Sequence, residues 1–241
     1  MEMCMEPELL IEARERGLTK TDWLVSRHSF SFGQYYDERR MNFGVLRVIN
    51  DDVVAPGAGF DMHPHRDMEI ITVVFDGELA HEDSLGSKGV IGPGEVQVMS
   101  AGKGILHSEY NNSKQQQVHL LQIWILPRAT RLVPRYDQRS YKESVGLKKV
   151  VGDLSLGDLE CLGINQDVSI YLARCEEKQS FEQLVEAERL VFVHLVRGEG
   201  QVNGRKLLPG DGYGFKAAAK GFKIEFNQAS SALVFDLPEA L

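Results

Sequence analysis

Two short segments of this chain carry side chains that could hold a metal ion. The first runs Gly57-x5-His63-Pro64-His65-x3-Glu69, and the second runs Gly104-Ile105-Leu106-His107-Ser108-Glu109-Tyr110-Asn111. Residues two apart on a β-strand project from one face, so His63 and His65 can converge, as can His107 and Glu109. Two such pairs on neighbouring strands would gather three imidazoles and one carboxylate around a single point. That donor set suits a divalent first-row ion and leaves positions open for other ligands. Alone, an H-x-H pair is as readily two exposed or hydrogen-bonded side chains. The H-x-E pair after a glycine-rich turn is what points to a metal. Iron, nickel, manganese, cobalt, copper and zinc all accept these donors, and affinity alone does not choose among them.

The elements that must position these pairs are strands. Short apolar runs punctuated by glycine dominate, at residues 43–49, 69–75, 96–99, 105–110, 118–126, 170–173, 190–196 and 232–237. Turn signals separate them, among them Pro56-Gly57, Asp76-Gly77, Pro93-Gly94, Asn203-Gly204 and Pro209-Gly210. Residues 7–16 and 181–189 have helical propensity, although the second stretch runs straight into β-rich sequence that could hold it as strand. The reading is all-β.

A weak internal repeat divides the chain. After Gly77 and again after Gly198 come a strand, a Pro-Gly-acidic turn (Pro93-Gly94-Glu95 and Pro209-Gly210-Asp211), another strand and a Lys-Gly pair (Lys103-Gly104 and Lys220-Gly221). The expected division is 1–138 and 139–241, with the boundary somewhere in 134–157, where apolar periodicity fades. Aligned on the glycine turn, the second copy has Leu184 and Glu186 where the first has His63 and His65. Aligned on Lys-Gly, it has Ile224 and Phe226 for His107 and Glu109. One metal site is therefore expected, in the N-terminal half.

Composition narrows the partners. The chain has 241 residues, 27 Lys+Arg against 35 Asp+Glu, and a formal charge of −8. That balance disfavours nonspecific binding to nucleic acid or an anionic membrane surface. Cys4, Cys161 and Cys175 are odd in number and irregularly spaced, which speaks against a disulfide framework. The first residues are too acidic for a secretory signal, and no stretch approaches a bilayer span, so a cytoplasmic protein is expected.

The remaining histidines read as structural. His28 is expected to pack or hydrogen-bond, His81 beside Glu82 and Asp83 to be solvated, and His194 to be a satisfied core residue. His119 and Gln122 have opposite parity on one strand, so at most one faces a barrel interior. The aromatic stretch 30–36 could border a pocket but is more usually core.

The text SRHSFSFGQYYDERRMNFGVLRVINDD, HPHRDMEI and MSAGKGILHSEYN resembles the pirin family of the cupin superfamily, including bacterial pirin-like quercetinases, over residues 10–136. The resemblance implies a bicupin, two stacked β-barrels in one compact molecule, with iron(II) held by His63, His65, His107 and Glu109. General cupin motifs often take the carboxylate from the first motif, where Glu69 fits. Pirin-like proteins take it from the second, which makes Glu109 the expected ligand and Glu69 a supporting residue. The resemblance further implies a flavonol such as quercetin and O2 as substrates, opened by 2,3-dioxygenation with release of carbon monoxide and with Glu109 as general base. Two other outcomes follow from the same resemblance: a redox-sensing regulatory module that acts through a protein partner, or a cupin enzyme with a different small-molecule substrate. A fused pair of barrels could cover its own core as a monomer.

Overall fold

The structure, a computed structural model, describes residues 8–217 and 221–239. Cys4, Pro7 and Lys220 lie outside the described residues. Strands dominate, and the only helical segments among the described residues are the 3-10 turns Ala13–Glu15, Glu38–Arg40 and Leu154–Leu156. Each half is built on one seven-stranded and one four-stranded sheet, the C-terminal seven including the strand Leu9–Ile11 from the start of the chain.

In the N-terminal half the larger sheet orders its strands as Arg135–Ser140, Glu95–Ser100, Glu69–Asp76, Val118–Ile125, Leu46–Val54, Leu24–His28 and Gly17–Lys20. The smaller sheet orders them as Gly59–His65, Ile105–Asn111, Leu79–Asp83 and Lys88–Ile91. The C-terminal half repeats the plan, with Gln179–Gln183, Phe222–Phe226, Gly200–Val202 and Arg205–Leu207 in its smaller sheet. Even the turns repeat. Gly94 and Gly210 both have positive φ, and the acidic residue after each accepts a backbone N–H three residues back, Glu95 from Gly92 at 2.7 Å and Asp211 from Leu208 at 2.8 Å.

The halves join through their larger sheets. Ile49, Ile71, Val73, Leu121 and Ile123 from one sheet and Ile170, Leu172, Phe192, Leu233 and Phe235 from the other belong to one buried cluster. Burying such side chains is worth about 1.5–3 kcal/mol each, so this shared core fastens the barrels together.

Neither stretch with helical propensity forms an α-helix; the first holds only the 3-10 turn Ala13–Glu15. Within 7–16, Leu9–Ile11 is a strand that pairs with Gly212–Gly214 of the C-terminal sheet. Ile11 is thereby buried in the shared core. A side chain at Gly212 or Gly214 would strike the rings of Phe192 or Phe43, so glycine there lets both rings lie against the strand. Within 181–189, the strand Gln179–Gln183 pairs along Phe222–Phe226. Pairing and burial outweigh local propensity in both places.

Strand register also corrects one alignment of the repeat. His63 lies opposite His107, and in the second barrel Phe181 lies opposite Ile224. Phe181 and Gln183, rather than Leu184 and Glu186, therefore occupy the places of His63 and His65. The connection after Gln183 is three residues longer than the one after His65, since Leu190 opens the next strand where Glu69 does in the first barrel. Counting back from the glycine turn carried that insertion into the alignment.

Candidate metal centre

The interior of the N-terminal barrel is unusual in having a polar row across its larger sheet. Gln97, Thr72, Gln122, Asn50 and His28 are cross-strand neighbours on five consecutive strands. Apolar clusters lie on either side, one around Ile70 and Met99 and the other around Val74 and Leu120. At the matching places the second barrel has Tyr213, Val193, Val234 and Tyr171, which join one continuous apolar cluster. The polar row needs partners inside the barrel. It finds them in the smaller sheet facing it.

That smaller sheet carries both histidine motifs. Along Ile105–Asn111 burial alternates, which turns His107 and Glu109 inward and Leu106 and Tyr110 outward. Gly59–His65 is an edge strand, so Pro64, which has no N–H to donate, is tolerated there. A bulge beside Ser108 pairs Glu109 with Phe60 while His107 keeps its place opposite His63. His63, His65 and His107 come together with one ring nitrogen each within 4.8 Å of the others. The Nε2 atoms of His63 and His107 are 3.1 Å apart. His63 donates from Nδ1 to the carbonyl of Asp61 at 2.7 Å, which leaves its Nε2 lone pair free. Burial lowers the His65 pKa to about 4 and also lowers that of His107, so both rings are neutral, the form that binds metal. Three imidazoles aimed at one another have poor complementarity for each other and good complementarity for a cation.

Glu109 sits on the same strand face but belongs to a neighbouring group with His107 and His81. Gln122 donates to its Oε2 at 2.7 Å; Gln97 and Thr72 donate to Oε1 at 3.2 and 3.4 Å. The polar row thus grips this carboxylate from behind. Burial pushes its pKa up to about 7, with Asp52 nearby adding to the shift. Glu69 is elsewhere: its carboxylate accepts from Ser100 and Asn165, so it braces the connection to the C-terminal half.

A cavity of about 410 Å3 opens beside the histidines. Phe32, Phe60 and Trp124 line it together with His63, His65 and Glu109. Trp124 stands edge-on to His65 at a centroid distance of 5.0 Å, and Phe32 is edge-on to Trp124 at 5.3 Å. Within the aromatic stretch, Phe30 is core, Phe32 borders the cavity and Tyr36 is exposed.

Several other expectations meet the structure directly. His28 hydrogen-bonds Asn50 at 2.7 Å and Thr19 at 2.8 Å. Gln122 faces the cavity, while His119 on the opposite parity pairs with Asp51 at 2.8 Å. His81 is not solvated: its side chain is fully buried against Tyr136, with ring centroids 4.5 Å apart. The flanking charges misled, because Leu79, His81 and Asp83 alternate inward while Ala80 and Glu82 point away. His194 is core but not satisfied, since neither ring nitrogen has a hydrogen-bond partner among the described residues. Burial lowers its pKa to about 3, so it stays neutral. Cys161 and Cys175 are buried free thiols. No helix among the described residues is long and apolar enough to cross a membrane.

Asp52 was not anticipated. It lines the cavity two residues along its strand from Asn50 of the polar row, and its Oδ1 has no partner among the described residues. Burial pushes its pKa up to about 7. Between about pH 4 and 7 the folded chain keeps a proton that the unfolded chain has released, so stability falls as pH rises through this window. Asp52→Asn should remove that fall in metal-free protein, with a gain that grows to at most about 4 kcal/mol by pH 8. Urea unfolding at pH 5 and pH 8 measures it; parallel changes in parent and variant would contradict the assignment.

Comparison with known proteins agrees with the fold. Residues 12–125 match the pirin family, and residues 156–237 match the quercetinase C-terminal cupin domain. The chain is 43% identical to a quercetin 2,3-dioxygenase of Escherichia coli K12, over 95% of this chain and 98% of the relative. Among solved structures, the bacterial pirin YhhW of Escherichia coli in complex with nickel(II) superposes with a TM-score of 0.90 at 40% identity, covering 96% of this chain and 99% of that one. A quercetin 2,3-dioxygenase from Acinetobacter baumannii shares the fold alone, with a TM-score of 0.76 at 20% identity over 98% of this chain and 80% of that one. The match to the first relative runs nearly end to end, and both barrels are matched in order. This chain belongs to the pirin family of bicupins.

Proposed function

We propose that this protein is a metal-dependent flavonol dioxygenase, with the ion held by His63, His65, His107 and Glu109. The observation that carries the reading is the convergence of three imidazoles at the edge of an aromatic-lined cavity, with a buried carboxylate beside them. Iron(II) is the proposed metal; the nickel complex of the related pirin is consistent with a site that accepts more than one divalent ion. When bound, such an ion supplies Lewis acidity and a place where a flavonol oxygen and dioxygen can meet.

The chain's own residues account for the rest. Trp124, Phe32 and Phe60 offer apolar surface to a flat aromatic substrate. Glu109 takes the proton of the flavonol 3-hydroxyl as general base. Its three donors, Gln122, Gln97 and Thr72, hold the carboxylate pointing into the site. In the net reaction dioxygen adds across C2 and C4, both oxygen atoms remain in the ring-opened ester, and C3 leaves as carbon monoxide. The polar row and the closed barrel behind it keep bulk water from the basic carboxylate. The second barrel supplies no ligands, and we take its function to be support: its pairing with the first closes the shared core within one monomeric chain.

The test is aerobic and anaerobic incubation of iron-loaded protein with quercetin. The expected result is oxygen-dependent loss of the flavonol absorbance with release of one equivalent of carbon monoxide. No turnover by the loaded protein, or equal turnover by verified metal-free protein, would overturn the proposal.

A further inference from the structure

Behind His107, on the side away from the cavity, lies a buried pair that the proposed reaction does not use. His81 Nδ1 is 3.5 Å from His107 Nδ1, and His81 Nε2 is 3.4 Å from Asp83 Oδ2. Both side chains are fully buried. Cross-strand register explains the arrangement, because His107 lies opposite Asp83 and Glu109 lies opposite His81.

The hydrogen positions follow from the neighbours. Gln97 Nε2 faces the Glu109 carboxylate at 3.2 Å and His81 Nδ1 at 3.4 Å, an orientation set by the carboxylate, which can only accept. An amide nitrogen only donates, so His81 Nδ1 accepts. The His81 proton is then on Nε2, where Asp83 Oδ2 receives it. His81 Nδ1 has one lone pair, shared at long range between the Gln97 amide and His107 Nδ1–H; with its proton on Nδ1, His107 turns its Nε2 lone pair toward His63. The other Asp83 oxygen accepts from the backbone N–H groups of Leu85 and Ser87, so the carboxylate is fixed.

We propose that Asp83 and His81 form a positioning relay that holds the His107 proton on Nδ1 and so presents Nε2 to the metal. This rests on His107 being a metal ligand, as proposed above. Carboxylate-backed histidines that orient a ligand in this way typically cost about 10- to 100-fold in metal affinity when broken.

Asp83→Asn tests the relay sharply. Asparagine keeps Oδ1 for Leu85 and Ser87 but replaces Oδ2 with a donor. His81 would then accept at Nε2 and carry its proton on Nδ1, donor against donor with both His107 and Gln97. His107 could escape only by moving its proton to Nε2, the atom the metal needs. Nickel(II) binding, measured by chelator competition on the full chain, should weaken about 10- to 100-fold. The metal-free variant should remain folded, with a melting temperature somewhat below the parent's because the Gln97 amide then faces an N–H. His81→Phe retains a ring against Tyr136 and should weaken nickel binding as well. Because Asp83 acts through His81, the double variant should bind no worse than His81→Phe alone.

Nitrogen-15 spectra of the zinc-loaded parent should show His81 protonated at Nε2, a readout that needs no variant to fold. Nickel affinity in Asp83→Asn within threefold of the parent, additive losses in the double variant, or a proton on His81 Nδ1 would each overturn the relay. Undiminished nickel binding by His107→Ala would instead overturn the ligand assignment beneath it.

Discussion

Metal-depleted His107→Ala, given one equivalent of nickel or iron and then dialysed, should retain almost none of it, and flavonol turnover should fall to background. In the proposed site His107 is the central donor. It lies on an inner strand of the smaller sheet, whereas His63 and His65 lie on the edge strand and are only half-buried. Its removal leaves two histidines on one strand, with Glu109 held by the polar row beyond them. The affinity loss should exceed about 100-fold, the upper end of what losing a mere supporting partner costs. Elemental analysis after dialysis and a flavonol assay measure both effects together. Full metal content in His107→Ala would mean that the ion binds elsewhere.

Glu109→Gln should separate the two effects that His107→Ala joins. Glutamine has the same shape, and its carbonyl oxygen can still accept from Gln97 and Thr72. Its amide would face the Gln122 amide, donor to donor, but Gln122 can relieve this by rotating half a turn while the Thr72 hydroxyl follows. The barrel should therefore fold with three imidazoles in place and hold metal, with weakened affinity. What is lost is the basic oxygen. Removing a positioned general base typically costs about 10²–10⁴-fold in rate, and kcat/KM for quercetin should fall in that range while metal content falls far less. The parent should lose activity as pH drops and the carboxylate takes up a proton, whereas the residual rate of the variant should lack that limb. Turnover within a few-fold of the parent would remove Glu109 from the chemistry.

Much of this site was legible because both histidine motifs obey the two-residue period of a strand. That same period held the clue to His81, which alternates with Leu79 and Asp83, yet the adjacent charges pointed the other way. The strand bearing His63 and His65 has no apolar alternation and contains Pro64. It reads poorly as a strand because its inward positions carry histidines instead of apolar side chains. Gln97, Thr72, Gln122 and Asn50 were hidden for a different reason. Each comes from a separate strand, and only the register of one strand on the next sets them in a row. Of these, only Gln122 stands out in the sequence, by its parity on an apolar strand. The helix-like stretches failed because their pairing partners lie far away in sequence, where local propensity carries no information. Asp52 gave no local signal at all.

The arm Leu9–Ile11 has a consequence for how the molecule is made. It fills, at the edge of the C-terminal sheet, the place that Arg135–Ser140 fills in the N-terminal sheet. Its partners Gly212–Gly214 are about two hundred positions downstream. On the ribosome, the histidine-bearing barrel can gather its own strands long before the arm has anything to grasp. Closure of the arm is thus among the last events of folding, a non-local contact of the kind that slows β proteins. Once made, it ties the beginning of the described chain to the far barrel, so that pulling either barrel open strains the other.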